Sequence, residues 1–531
     1  MADCISYRDT NYFSNLITDY LAEEKKLDPF YGNFPKIENF EKQIEEKKKS
    51  YSVENRKILV ETLQKQYANF SISTATQENL QLLAQENTFT VTTGHQLNLF
   101  TGPLYFLYKI ISTINLCEKL KEKYPTCNFV PIYWMATEDH DFEEINFFNF
   151  KENKIQWNRK ANGAVGELNT NGLEKVFEEF STNLNASKNA EELKKLFKEA
   201  YVEHENLSAA THYLANELFG EDGLVILDAN QRSLKKLFIP FVKDELLKQT
   251  SHTYVQETTT QLSEKNYKIQ VNPREINLFY LKENLRERII EEENQYFIHE
   301  TELRFSEKEM LEEVENHPER FSPNVIMRPL YQEVILPNLS YIGGGGELAY
   351  WFQLKEYFKA EKVPFPILLL RNSALLISEK QQKKLNRLGV SLQDLFLNQA
   401  DLKTKHTQKI SEIDIDFSKQ KKHLENQFSE LYNLAEKTDK SFIGAVAAQE
   451  KKQINGLSHL EKRLLKAQKR KLKDELDRLT TLQNELFPKQ NLQERQANFS
   501  EFYEAYGNGL IQLLKEELDP LKQKFSIIEL K

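Results

Sequence analysis

The chain has only three cysteines in 531 residues: Cys4, Cys117 and Cys127. They form no C-x-x-C pair and no metal-ligand spacing, which excludes a disulfide scaffold and a cysteine-based zinc site. So sparse and odd a set points to a reducing cytoplasm. No run of about 18 apolar residues occurs, so no membrane-spanning helix is expected. The N-terminal MADCISYRDTNYFSNLITDYL lacks a basic segment followed by an apolar one, so no signal peptide is expected. Excess positive charge is also missing. With 71 Lys and Arg against 80 Asp and Glu, the net charge is -9. That argues against nucleic acid or an anionic membrane as a partner.

What is present is a globular core followed by a charge-rich portion. Residues 1 to about 90 read as polar and helical, with a break at Ser71–Thr76 inside Asn55–Gln85. Phe89–Thr93 is a β-branched strand ending at Gly94. Pro103 suits a first helical turn, and a helix over 103–122 carries Leu104, Leu107, Ile110, Ile111, Ile114 and Leu120. Phe129–Met135 is an apolar run typical of a strand buried on both faces, with Pro131 best placed near its start. Residues 150–220 read as a helical insertion. Gly223–Asp228 is a further short strand ending in an acid. Val325–Leu330, Val334–Leu336 and Pro364–Leu370 add sheet or core candidates. Alternating strands and helices argue for a mostly parallel sheet.

The composition changes after about residue 376. Gly and Pro nearly vanish, and Ile410, Phe417, Leu424 and Leu431 fall seven apart, as do Leu465, Leu472, Leu479 and Leu486. Two long helices joined near Thr438–Gly444 make an antiparallel hairpin. Lys437–Ser441 superficially matches a K-M-S-K-S synthetase signature but reads as the turn of that hairpin. The expected fold is therefore α/β: a Rossmann-like core with inserted helical segments, plus a long antiparallel α-helical coiled coil. The expected boundaries are 1–375 for the core, 376–487 for the arm, and 488–531 for a helical segment returning to the core.

Four constellations carry chemistry. Gly94, His95 and Gln96 follow a strand, where glycine lets the backbone approach a ligand. Gly102-Pro103 opens a helix whose free N–H groups attract anions, with Lys109 two turns further in. Glu138, Asp139, His140 and Asp141 crowd acids at a strand end, with Glu143 and Glu144 behind, and a cation or a proton in transit would relieve that crowding. Hard-metal binding by Asp139 and Asp141 stays open on the residues, but no second ligand motif accompanies them, so no metal site is expected. Gly343–Gly346 precedes Glu347 and a helix, a second anion cradle. Arg328–Glu333 and Arg371 add polar groups to the same cleft.

In order, T-G-H-Q, T-G-P-L-Y, W-M-A-T-E-D-H-D-F, R-P-L-Y-Q-E and G-G-G-G-E-L-A-Y-W, followed by a long coiled coil, make a pattern more specific than any part. The whole chain resembles the bacillithiol biosynthesis cysteine-adding enzyme family. The resemblance implies a coiled-coil arm that forms a homodimer. It also implies ligation of the cysteine carboxyl group to the amine of glucosaminyl malate. The family motifs match Gly94, His95, Gln96, Gly102, Pro103, Glu138, Asp139, His140, Asp141, Arg328, Gln332 and Glu347. Joining a free carboxylate to an amine needs activation, so ATP is expected, with Mg if so. Asp139, His140 and Asp141 are the expected amine binders and base. His95 and Lys109 are the expected anion contacts, the turns at Gly102 and at Gly344-Gly345 the cradles, and Arg328 and Arg371 the partners of malate. Two alternatives stay open: another class I synthetase-like nucleotidyl-transfer enzyme, or a non-catalytic coiled-coil interaction protein.

Overall fold

The computed structural model describes residues 3–531. By internal packing the chain divides into two units. Of the described residues, the larger holds 3–8, Tyr12–Leu375 and Gln493–Ile528; the smaller holds Asp9–Asn11, Leu376–Leu492 and Glu529–Lys531.

The larger unit is built on a five-stranded sheet. In spatial order its strands are Ile367–Leu370, Asn338–Gly343, Thr88–His95, Asn128–Met135 and Val225–Asp228. Every neighbouring pair is parallel. The first strand of this sheet in the chain is its central one. The chain winds outward to one edge and then returns to the other side, the doubly wound order of Rossmann-like folds. The winding reverses between Thr88–His95 and Asn338–Gly343, and a crevice outside their carboxyl ends is where such sheets bind ligands.

The strands form where the sequence is apolar or β-branched without alternation, because both faces are covered. All eight residues of Thr88–His95 are buried. Phe89, Val91, Phe129, Leu339, Ile342, Ile367 and Leu369 share one core with Leu116 and Leu120 of the helix Tyr105–Lys123. Pro131 pairs with Val91 on one side, and pairing on the other begins only at Ile132. It therefore precedes the second ladder, where a missing N–H is tolerated.

Three parts sharpen or correct the sequence expectation. The insertion after residue 146 begins with a hairpin, Phe147–Phe150 against Asn153–Gln156, before its helices Leu173–Asn183, Lys188–Tyr201 and Leu207–Phe219. Lys151 and Glu152 take φ of +48° and +69° in its two-residue turn, the geometry such a hairpin needs. Its sequence gives no Asn-Gly signal. Of the sheet or core candidates, Val325–Leu330 and Val334–Leu336 are core and not sheet: Ile326, Met327, Leu330, Ile335 and Leu336 are all buried. Arg328–Ile335 is a buried helix opened by Pro329, and the strand follows it at Asn338–Gly343. The tail is helical at Gln493–Gln496, Phe499–Tyr506 and Gly509–Glu517, but ends in a strand, Phe525–Leu530, antiparallel to Asp3–Ile5.

A second sheet was not foreseen at all. Leu278–Lys282, Leu285–Glu292, Gln295–Ile298, Arg304–Ser306 and Phe321–Pro323 make a five-stranded antiparallel sheet. Its charged, weakly alternating strands carry little periodic signal.

The smaller unit is helical. Ser418–Ala435 and Lys440–Lys471 run antiparallel: Tyr432 donates to Glu450 at 2.8 Å, and Lys421 pairs with Glu461 at 2.7 Å. Phe428, Ala435 and Val446 form their apolar seam. Asp439 caps the longer helix by accepting from the Ser441 N–H, so Lys437–Ser441 is a turn. The two heptad rows do not each lie on one helix. Ile410 ends the helix Gln399–Ile410, Phe417 only precedes the next, and Leu472 sits at a break before Lys473–Leu486. Among the described residues no helix is long and apolar enough to cross a membrane.

Candidate active site

A cavity of about 700 Å³ opens at the crevice of the parallel sheet. Gly94, His95, Gln96, Lys109, Glu138, Asp139, His140, Asp141, Arg328, Gly344, Glu347 and Arg371 line it, so residues more than 200 positions apart in sequence meet there. Tyr105, Trp134, Arg274, Phe279, Arg286, Asn324, Tyr341, Tyr350 and Arg495 line it too, and the sequence reading named none of them as site residues. Arg495 belongs to the short tail helix Gln493–Gln496. Arg274 and Arg286 had no signal.

Three expected contacts lie outside the lining: Gly102, Gln332 and Gly345. Gln332 is fully buried behind the wall, where its Oε1 accepts from Arg328 at 3.0 Å and its amide donates to Glu333. Glu333 in turn pairs with buried Lys47 at 3.0 Å. Gln332 thus aims Arg328 rather than meeting a ligand. Gly345 packs near Ile17 and Phe13.

The Gly102 turn is buried structure, not an anion cradle. Phe100, Thr101 and Gly102 have φ of +48°, +67° and +63°. Asn498 holds the turn by donating to the carbonyls of Phe100 and Gly102, and Leu104 N–H donates to Ala497. A Cβ on Gly102 would lie 2.5 Å from the Asn98 Cβ. Gly102→Ala is therefore expected to cost about 1–3 kcal/mol of stability, read as a lower urea midpoint.

Around Gly94 and Gly344 the cavity is strongly cationic. The Arg328 guanidinium lies between the rings of Trp134 and Tyr341, 5.5 and 5.4 Å from their centroids. Arg371 pairs with Glu494 at 2.8 Å. Lys109 donates to the Gly94 carbonyl at 2.7 Å and pairs with Glu347 at 2.6 Å. Burial lowers the Lys109 pKa despite Glu347. Burial alone would raise that of Glu347, but Lys109, the Gly344 N–H and Tyr341 outweigh it and hold it low. The Gly344 N–H already donates to Glu347 at 2.8 Å, so this glycine turn offers fewer free donors than expected. Arginine, not backbone, is left to meet an anion: Arg328 Nη2 and Arg371 Nε are buried with no hydrogen-bond partner.

His95 is buried, and burial followed by the Lys109 charge pushes its pKa from 6.5 down to about 3. It is neutral at pH 7 and can meet an anion only as a neutral donor. His212, away from this cavity, is likewise pushed down to about 3 by burial and by His204. Below pH 6.5 the unfolded chain takes up protons that these folded histidines refuse, so stability falls as pH drops toward 3. Each contributes up to about 1.4 kcal/mol per pH unit. Urea midpoints at pH 7 and pH 5 should show this loss, and His95→Gln should make it smaller.

The acidic end is organised by cations and amides from elsewhere. Gln96 donates to Asp139 at 2.9 Å and to Glu144 at 3.0 Å. The His140 backbone N–H donates to Asp139 at 2.7 Å. Burial alone would raise the Asp139 pKa, but the hydrogen bonds from His140 and Gln96 and the Arg286 charge hold it well below the carboxylate range. Buried Lys235 donates to Glu138 and to the Phe321 carbonyl. Arg286, on the antiparallel sheet, reaches His140 Nδ1 at 2.7 Å. Asp139, His140 and Asp141 offer ligand atoms within 4.8 Å of one another. Arg286 already brings a positive charge against that cluster.

The sheet order and the crevice at its switch point define an α/β protein of the Rossmann-like class, with an arginine-rich ligand cavity. Family models agree over nearly the whole length. The description "Bacillithiol biosynthesis BshC, N-terminal Rossmann-like domain" matches residues 1–372, and "Bacillithiol biosynthesis BshC, C-terminal coiled-coil domain" matches 374–530. The chain belongs to the BshC family. Proteins named "Putative cysteine ligase BshC" are similar throughout. That of Christiangramia forsetii is 61% identical, covering 99% of this chain and 98% of its own. That of Flavobacterium johnsoniae is 60% identical, covering 99% of each. That of Bacillus thuringiensis is 29% identical, covering 97% and 98%.

Proposed function

We propose that this protein is a ligase that joins the carboxyl group of cysteine to the amine of glucosaminyl malate, the last step in making bacillithiol. Its family and the names of its relatives support the ligase assignment. The observation that carries the substrate assignment is the polarity of the cavity. Arg328 and Arg371, each with an orphaned buried nitrogen, stand with Arg274 and Arg495 in one lining with the carboxylates of Glu138–Asp141. A dicarboxylate that also carries an amine is complementary to such a lining.

In this reading Arg328 and Arg371 hold carboxylate or phosphate oxygens, and Gln332 keeps Arg328 aimed. Asp139, His140 and Asp141 receive the amine, which must lose a proton before it attacks the carboxyl carbon. ATP, with Mg, would supply the activating phosphoryl or adenylyl group, and the carboxyl oxygen that is lost leaves on phosphate. The orphaned arginine nitrogens fit such an anion. The coiled-coil hairpin is the proposed homodimer surface, and the cytoplasm the proposed location.

The test is mass spectrometry of a strain lacking the gene. Glucosaminyl malate should accumulate and bacillithiol should vanish, with both restored by the intact gene. Normal bacillithiol in that strain would overturn the reading.

A further inference from the structure

Arg286 lies in a segment with no motif, yet it makes the closest polar contact to the imidazole of His140. Its Nη1 is 2.7 Å from His140 Nδ1. The guanidinium stacks on Phe279, 3.9 Å from the ring centroid, and Phe279 also packs against the His140 ring at 5.7 Å. Arg286 and Phe279 come from adjacent strands of the antiparallel sheet. One hairpin therefore places both groups against the histidine.

A guanidinium has only N–H donors and stays charged. At 2.7 Å it can meet His140 Nδ1 only if that nitrogen offers its lone pair. A proton on Nδ1 would set two donors against each other. Asp139 Oδ1 lies 3.6 Å from the same nitrogen, a longer contact than the 2.7 Å to Arg286. Asp139 is also engaged already, by the His140 backbone N–H and by Gln96. The other ring nitrogen, Nε2, is 3.8 Å from Asp141 Oδ1.

We propose that Arg286 is a positioning residue that fixes His140 as a neutral imidazole protonated on Nε2, leaving Asp141 as the base of this site. Resting on the ligase reading, the assignment divides the roles within the acidic cluster. Lys235 binds the Glu138 carboxylate, and Gln96 with the His140 N–H binds that of Asp139. His140 has no lone pair left to take a proton, because Nδ1 faces Arg286 and Nε2 carries hydrogen. Asp141 presents the most exposed carboxylate of the cluster, with 53% of its side chain accessible. The substrate ammonium passes one proton to a carboxylate oxygen of Asp141, which releases it to water. The nitrogen lone pair so freed attacks the activated carboxyl carbon of cysteine. The C–O bond to the activating phosphate breaks with its electron pair leaving on that phosphate, and the second N–H proton lost as the amide forms goes to water. The Nε2–H of His140 stays in place, oriented toward Asp141.

The test is nitrogen NMR of the full-length protein labelled with 15N-histidine, with His140→Gln identifying the signal. The expected spectrum at pH 7 has Nδ1 of His140 in the unprotonated range and Nε2 in the protonated range. Arg286→Gln should release this preference, and Arg286→Lys should restore most of it. A proton on Nδ1 in the wild type, or an unchanged tautomer in Arg286→Gln, would overturn the proposal. This readout needs no turnover, so it fails or succeeds separately from the ligase reading. In the ligation assay Arg286→Gln should lower kcat by about 10²-fold through misplacement, with partial recovery in Arg286→Lys. A rise in KM for glucosaminyl malate with kcat unchanged would make Arg286 a substrate contact instead.

Discussion

Arg371→Met should lose about 3–5 kcal/mol of stability, the usual result of leaving a buried charge without its partner. The side chains of Arg371 and Glu494 are 4% and 0% exposed, and 2.8 Å separates their charged atoms. Glu494 also accepts the Ala374 N–H at 3.0 Å, while Arg371 donates to the Asn372 carbonyl and to Ser373. Arg371 also lies over the Tyr105 ring at 4.7 Å. Its removal leaves the buried Glu494 carboxylate without its charged partner. A urea titration followed by near-ultraviolet circular dichroism should show the lowered midpoint. The double variant Arg371→Met, Glu494→Met should recover part of the loss, since it leaves no charge stranded. If the single variant keeps the wild-type midpoint, the pair does not anchor the tail helix Gln493–Gln496 to the sheet. Ligation should also fall, because Arg371 lines the cavity.

Asp141→Asn should act in the opposite way, on rate and not on stability. As the proposed base, Asp141 contributes what general base catalysis usually gives, about 10²–10⁴-fold in kcat. The amide keeps the shape and the solvent contact of the carboxylate, so the unfolding midpoint should not move. Steady-state kinetics on cysteine and glucosaminyl malate should show kcat reduced and KM for cysteine nearly unchanged. Full activity in Asp141→Asn would remove Asp141 from the role of base. A loss confined to KM would make it a binding group alone.

The parallel sheet was legible because its strands are local and unmistakable. TFTVTTGH, NFVPIYWM, VILD and ILLL are buried on both faces, so each reads as an uninterrupted apolar or β-branched run. NLSYIG has polar residues at its first and third positions and so lacks an uninterrupted apolar run, while the apolar run before it, through Val334–Leu336, is mostly helix. The glycine turns flagged the right crevice, but their roles depend on partners far away in sequence. Gly344 has its N–H taken by Glu347, and Gly102 is held by Asn498, nearly 400 residues downstream.

Arg286 shows the limit most clearly. It lies in Leu285–Glu292, where arginine and glutamate alternate on half-buried positions without an apolar stripe. Only the pairing of that strand with Leu278–Lys282 brings the guanidinium to His140. That hairpin is local, but its docking against His140, 146 residues upstream, is set by tertiary structure, and a single sequence does not display it. The E-D-H-D cluster could thus be read as a reactive group, while the cations that set its state, Arg286 and Lys235, could not.

The central claim is tested most directly by mixing the purified full-length protein with cysteine, glucosaminyl malate and Mg-ATP and weighing the products by mass spectrometry. The account predicts bacillithiol, formed with one ATP consumed per amide bond and about 10²–10⁴-fold more slowly in Asp141→Asn. Unchanged glucosaminyl malate beside folded wild-type protein, with all three components present, would contradict it.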